Sequence, residues 1–449
     1  MNDGHPVHKK RRRMGGYYVL ILVLVAAVGG LWLLRWRQKA RLEKMIDSIR
    51  AAGYPVTCAE LDAWYSIPND VENAADVILT AVLYYREPNR PELVPIVGQA
   101  EMPGRMEALS DEATQAIADY LAGNEQTLKL LGEVARIEHS RYPIDLSAGF
   151  GTSMPHLRSV RDMARVLSLD AVRHAEAGDA AQAVESVASI FGVARSLSQE
   201  PLIVSQLVCV TCQGLGVSAI ERIVNRAELD DKQLAELGRM VVAARNGSGF
   251  VKAGVRERCC ILEIFRDPEK MDTQVFRSPR FPRLLLTAYK AVGLSDKGAM
   301  LYLDFEGEFL QAWKLAEHKR SAAVAALEAE LAKLRGVQAM IVRLLVPAYG
   351  RVVSIDLRIT AGLRAARASL AVERYRLAVG KLPETLAELV PSYLEAVPKD
   401  PFDGAELRYK GLEKGYVVYS IGEDGSDDGG KERSKERHEN RDVTFIVER

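Results

Sequence analysis

Asp424, Ser426 and Asp428 alternate along one short loop near the C-terminus. Oxygen donors at every second position are what a hard divalent cation takes from a chain. Gly429 permits a sharp turn after them, and the Gly430 carbonyl comes next in the alternation, as in the first half of an EF-hand loop. The second half is absent, because Lys435 stands where a bidentate Glu would be. Calcium takes about six to eight oxygens, so Asp427, Asp442 or backbone carbonyls must complete the shell. The competing expectation is an Asp/Gly turn that merely solvates the end of a hairpin.

Other chemistry-bearing residues form weaker patterns. Cys209 and Cys212 make a C-x-x-C inside the apolar run from Leu202 to Ile220, with no second pair and no histidine pair beside them. Buried structural thiols are expected there, with a redox or metal role as the alternative. Asp145 and His156 flank a loop containing Gly149-Phe150-Gly151 and offer either an acid/base pair or a loop staple, the latter being expected. The seven histidines are scattered singly, and no nucleophile elbow, P-loop, dinucleotide fingerprint or zinc-protease helix is present. No catalytic residue and no enzyme is therefore expected, and a hydrolase built on scattered carboxylates and His156 is the catalytic alternative. The charged run from Lys431 to Arg441 reads as a solvated loop or, alternatively, as a contact for an acidic surface.

These residues are carried by a chain of 449 residues, long enough for a large core plus a smaller module. Lys plus Arg and Asp plus Glu both number 60, so the overall charge gives no sign of a nucleic-acid partner. Five cysteines at irregular spacings, including the vicinal Cys259 and Cys260, make no disulfide framework.

From Tyr17 to Leu34 no residue carries a charge, and Val, Leu, Ile and Ala dominate. Such a run is near the roughly 20 residues that span a bilayer as a helix. Tyr17, Tyr18, Trp32 and Trp36 sit at its ends, where aromatic rings settle among lipid headgroups. Lys9 to Arg13 precede the run and favour a cytoplasmic N-terminus, while Arg35, Arg37, Lys39 and Arg41 follow it. The expectation is a retained single-pass anchor in the inner membrane, with the body in the periplasm.

Beyond the anchor, apolar periodicity predicts helices over Leu42 to Arg50, from Thr57 and Glu60 onward, and after Ser110-Asp111-Glu112. It predicts two more over Leu157 to Ala177 and Ala180 to Ser198, with Asp179 as N-cap of the second. This pair resembles one tetratricopeptide-type helical hairpin, matched at Gly178, Asp179, Ala183, Ala194 and Pro201, and the resemblance implies hairpin packing only. Leu202 to Val224 reads as a central buried helix, because Ser205, Gln206 and Gln213 interrupt it and Glu221 and Arg222 close it. Further helices follow over Asp231 to Arg245, Val251 to Phe265, Gly298 to Leu315, Ser321 to Leu334 and Ala361 to Val379, the last extended towards Val352.

Strand signals appear only near the end, at Leu407 to Lys410 and Tyr416 to Gly422. The order of motifs over Ala361 to Val447 resembles the C-terminal half of the type II secretion major pseudopilin. It is carried by Tyr375, Gly380, Pro383, Leu389, Pro398, Asp400, Pro401, Gly404, Tyr409, Tyr419, Ser420, Gly422, Asp424 and Gly425. The resemblance implies calcium in the Asp424 to Gly430 loop, with Asp442-Val443 as the returning acidic segment. Two departures bound it. Gly16 is followed by Tyr17-Tyr18-Val19-Leu20-Ile21 with no Glu at the fifth position, and residues 35–350 separate anchor from module, so no continuous pilus-forming helix is implied. The whole arrangement, with Tyr142-Pro143-Ile144-Asp145-Leu146 in the body, resembles uncharacterised membrane-anchored proteins of planctomycete-type bacteria.

The expected fold is mainly α. A basic tail (1–16) leads to a transmembrane helix (17–34), a multi-helix, helical-hairpin soluble body (35–350) and a small α+β module (351–449). The expected function is a non-catalytic envelope protein whose partners are the lipid bilayer and another envelope protein. A component or relative of the type II secretion machinery and an envelope hydrolase are the alternatives. The candidate calcium ligands are Asp424, Ser426, Asp428, Gly430 and Asp442.

Overall fold

A computed structural model describes residues 10–245, 249–271, 283–346, 348–432 and 442–448. Most of the charged run from Lys431 to Arg441, and Lys9 of the basic tail, lie outside the described residues. The architecture is mainly helical, with fifteen α-helices among the described residues and one small three-stranded sheet at the C-terminus.

Helix α1 (Lys10–Ala51) joins the anchor and the expected Leu42–Arg50 helix without a break. Its apolar window is long enough to cross a membrane, and none of it is buried inside the fold. Tyr17, Trp32, Leu34 and Trp36 are all exposed, whereas Leu42 and Ile46 one turn apart are buried. The chain is thus a membrane-associated, largely helical protein whose first helix packs Leu42 and Ile46 into the protein's own core.

Short polar caps start the next helices. Thr57 accepts the Glu60 amide ahead of α2 (Cys58–Trp64), and Asn73 accepts the Ala75 amide ahead of α3 (Ala74–Tyr84). Ser110 caps α4 (Asp111–Ala122), which leads into α5 (Glu125–Val134). Helices α6 (His156–Glu176) and α7 (Ala180–Ser196) form the expected hairpin, turning at Gly178 with φ +75° and capped by Asp179, which accepts the Gln182 amide.

Helix α8 (Ile203–Arg226) packs against α6 and α7. It too is apolar enough to cross a membrane, but 44% of that window is buried inside the fold, as a core helix requires. Helix α9 (Asp231–Ala244) starts with a reciprocal capping box between Asp230 and Gln233. A second core, containing Leu42 and Ile46, is built by α10 (Gly249–Arg266), α12 (Leu294–Lys314), α13 (Glu317–Lys333), α14 (Val337–Leu345) and the start of α15 (Tyr349–Val379). Helix α11 (Arg283–Ala291) lies on α12.

Helix α15 runs from the second core into the first and ends at Gly380, whose φ of +80° is the left-handed cap that glycine adopts freely. A short 3-10 turn over Leu386–Leu389 follows. Strands β1 (Arg408–Gly411), β2 (Tyr416–Ser420) and β3 (Val443–Val447) then pair antiparallel in the order β1-β2-β3. The third strand was not among the two expected. Tyr416, Val418, Phe445 and Val447 share the face that joins the main core beside α15, while Val417, Tyr419 and Ile446 cluster on the other face.

Side chains of α8 meet the outer edge of β3. Glu221 accepts the Ile446 amide at 2.8 Å, and Asn225 donates to the Ile446 carbonyl at 2.9 Å and accepts the Glu448 amide at 2.7 Å. An edge strand with unpaired amides invites further pairing, and these two side chains remove that opportunity.

Candidate functional site

The loop after β2 is organised by two buried carboxylates. Asp400, in the Asp-Pro-Phe-Asp-Gly segment, accepts Phe402 N at 2.9 Å and Ser420 Oγ at 2.8 Å through Oδ1. Its Oδ2 accepts Ile421 N at 3.0 Å and Arg408 Nη1 at 2.7 Å. Asp442, at the start of β3, accepts Gly430 N at 2.7 Å and Asp428 N at 3.4 Å. Of the sequence-predicted calcium ligands, the structure therefore brings Asp442 to Asp428 and Gly430 through backbone bonds.

Asp424 accepts the Ser426 amide at 3.1 Å and stays exposed with Ser426. Asp427 accepts Tyr419 Oη at 3.1 Å and sits 3.7 Å from the Arg408 guanidinium. Burial pushes the Asp442 carboxyl above its ordinary range, the Gly430 and Asp428 amides oppose that, and the charges of Asp427 and Asp428 add to it. The oxygen donors suit calcium in kind. Among the described residues, however, no three or more His, Cys, Asp or Glu side chains stand together as a ready metal cage.

Asp145 and His156 are not brought together as an acid/base pair. Asp145 caps the turn over Leu146–Gly151, accepting Ser147 N at 2.9 Å, which is the loop-staple role. His156 is buried, stacks on Tyr142 with ring centroids 4.3 Å apart, and places Nε2 3.0 Å from Glu200 Oε1. Ser205 Oγ donates to that same Glu200 oxygen at 2.5 Å. Serine and histidine share one carboxylate oxygen, so this trio lacks the direct serine–histidine bond through which an imidazole takes a hydroxyl proton.

All five cysteines are free and buried. Burial pushes the Cys209 thiol up to about 12 and raises Cys212 as well, so neither is a ready thiolate.

A buried charge centre escapes any reading of spacing. On α10, Arg256 pairs with Glu257 at 2.8 Å and donates to the Gly149 carbonyl at 2.8 Å, while Arg258 pairs with Glu306 of α12 at 3.1 Å. Arg258 also donates to the Pro55 carbonyl, so the centre ties α10 to the segment that follows α1. The one sequence signal was Arg256-Glu257-Arg258 standing inside an apolar helix.

A groove of about 680 Å³ is bordered by α5, α7 and α9. Arg136, Glu138, Glu185 and Glu236 line it; the Glu138 charge acts on the neighbouring Arg195, and among the described residues the side chains of the other three have no hydrogen-bond or ion-pair partner. Such unspent charges of both signs can pair with a polar surface. No protein-family model, curated protein or solved structure matches the chain.

Proposed function

We propose that this protein is a non-catalytic, membrane-anchored envelope protein whose helical body docks another protein in the groove bordered by α5, α7 and α9. The carrying observation is that groove: Arg136, Glu185 and Glu236 line it without a hydrogen-bond or ion-pair partner among the described residues, beside Arg195 and Arg245, which are bonded internally. The body stands on the periplasmic side and α1 holds it to the inner membrane. Photo-crosslinking residues placed at Glu185 and Glu236 of the full chain test the docking. One adduct of the same added mass from both positions, absent when the crosslinker stands at exposed Lys414 on the sheet, supports it. Absence of an adduct at both groove positions contradicts it.

The C-terminal module gives a second reading, kinship with the secretion machinery. It is supported by the order of a long α15, a Gly380 turn, the Leu386–Leu389 turn and an Asp400-centred hairpin. Co-purification with secretion-system subunits separates it from the first. Within the module, the Asp424–Gly430 loop is read as a calcium site with Asp442, a reading supported by the Asp442 carboxylate reaching the amides of Asp428 and Gly430.

A further inference from the structure

Helix α11 divides its circumference among three environments. Leu286 and Tyr289 are buried on the protein. Thr287 and Lys290 are exposed on a polar side. Leu284, Leu285, Ala288 and Ala291 of α11, with Val292 in the turn that closes it, make an apolar face spread over about 120° at 3.6 residues per turn. That face is open: Leu284 is 83% exposed, Leu285 56% and Val292 60%. A helix in water gains nothing by showing this many large apolar side chains on one side, and such a contiguous patch marks an interaction surface.

The position of α11 says what covers it. The Arg35 guanidinium of α1 reaches the Lys290 carbonyl at 3.5 Å. At Gly293, just beyond α11, a Cβ would lie 3.2 Å from Gln38 Oε1 and 3.6 Å from Arg35 Cγ. The end of α11 is therefore held against the turn of α1 that holds Arg35 and Gln38, directly after the apolar window that closes at Leu34. Leu33, Leu34 and Trp36 are exposed in the same stretch of α1. The open face of α11 thus adjoins the level at which α1 passes from hydrocarbon to headgroups, where tryptophan rings and amphipathic helices settle.

We infer that α11 is a second membrane contact: it lies in the headgroup layer beside α1, with Leu284, Leu285, Ala288, Ala291 and Val292 against lipid and Lys290 towards water. This rests on α1 crossing the bilayer, and it adds that the body is seated on the membrane surface instead of hanging from α1 alone. A helix of this kind is held by its buried apolar area, with the flanking lysine favouring anionic headgroups.

The test uses the full chain in nanodiscs of phosphatidylcholine and phosphatidylglycerol. Single nitroxide labels go at Leu285→Cys, Val292→Cys, Thr287→Cys and Val25→Cys, the native cysteines being buried. Collision with dissolved oxygen marks lipid, and collision with a water-soluble nickel chelate marks water. Expected are lipid-type signals at 25, 285 and 292 and a water-type signal at 287. If 285 and 292 collide with nickel as readily as 287 while 25 remains in lipid, α1 stands and the inference falls, leaving that face for a protein. A water-type signal at 25 overturns the anchor and the inference together.

Discussion

Gly192 of α7 and Ala135 beyond the end of α5 approach so closely that a Cβ on residue 192 would lie 2.9 Å from both the Cα and the N of Ala135. The obstacle is backbone, which does not turn aside as a flexible side chain would. This contact fixes the spacing of the two helices whose residues line the proposed docking groove. Gly192→Ala is expected to cost about 1–3 kcal/mol, the usual penalty for overpacking, and to lower crosslinking from Glu185 at temperatures where the variant is still folded. Denaturant unfolding of the full chain in detergent measures the first effect.

Arg222 of α8 binds Glu176 at the end of α6 at 2.6 Å and also donates to the carbonyls of Gly104 and Glu107, both at 2.6–2.7 Å. Lysine has one charged point in place of this fork and cannot reach all of these acceptors. Arg222→Lys should therefore loosen the segment around residues 103–107, and Arg222→Ala should cost on the order of 3 kcal/mol by leaving buried acceptors unmatched. Limited proteolysis reports the loosening as a new cleavage in that segment; an unchanged digest contradicts it.

Stability should rise on mild acidification. Burial pushes Glu306 from an ordinary 4.5 up to about 7 despite the Arg258 ion pair. Between those values the folded protein binds a proton that the unfolded chain has released, so this contribution is fully present below about pH 4.5 and is lost as pH rises through 7. Burial raises Glu221 and Asp356 in the same direction. Melting temperatures near pH 5.5 and near pH 7.5 should differ in favour of the lower pH. Glu306→Gln should shrink that difference, and an equal difference in the variant contradicts the assignment.

Calcium at millimolar concentration should raise the melting temperature of the full chain, because a ligand that binds only the folded state stabilises it. Asp424→Ala or Asp428→Ala should remove the rise. Asp442→Ala should lower stability with or without calcium, since its carboxylate also holds the amides of Asp428 and Gly430. A melting curve indifferent to calcium would leave Asp442 as a loop staple alone.

Local signals carried much of this fold. Ser110 and Asp179 act as the helix caps their positions predict, and Asp230 with Gln233 adds a box of the same kind. The expected hairpin, the buried Leu202–Val224 helix and the long α15 all follow from apolar periodicity and cap chemistry. Helix α3 was not read, because Ala74–Tyr84 is apolar on nearly every side and shows no clean stripe. Helices α5 and α14 are short, the first interrupted by Gly132 and the second preceded by Gly336. The site residues resisted for a different reason. His156 finds Glu200 44 positions away, and Arg258 finds Glu306 48 positions away. Such pairings depend on how helices pack and leave no trace in spacing. The open apolar face of α11 and the turn after it likewise leaves no sign in the sequence, because only the fold decides which side of that helix is covered.

The proposed topology, a periplasmic helical body held by one anchor with its N-terminus in the cytoplasm, is tested by paired fusions of a reporter that is active only in the periplasm. One fusion follows Arg449 and the other follows Gly16 of the basic tail. Activity after Arg449 and none after Gly16 is predicted; activity only after Gly16 contradicts it.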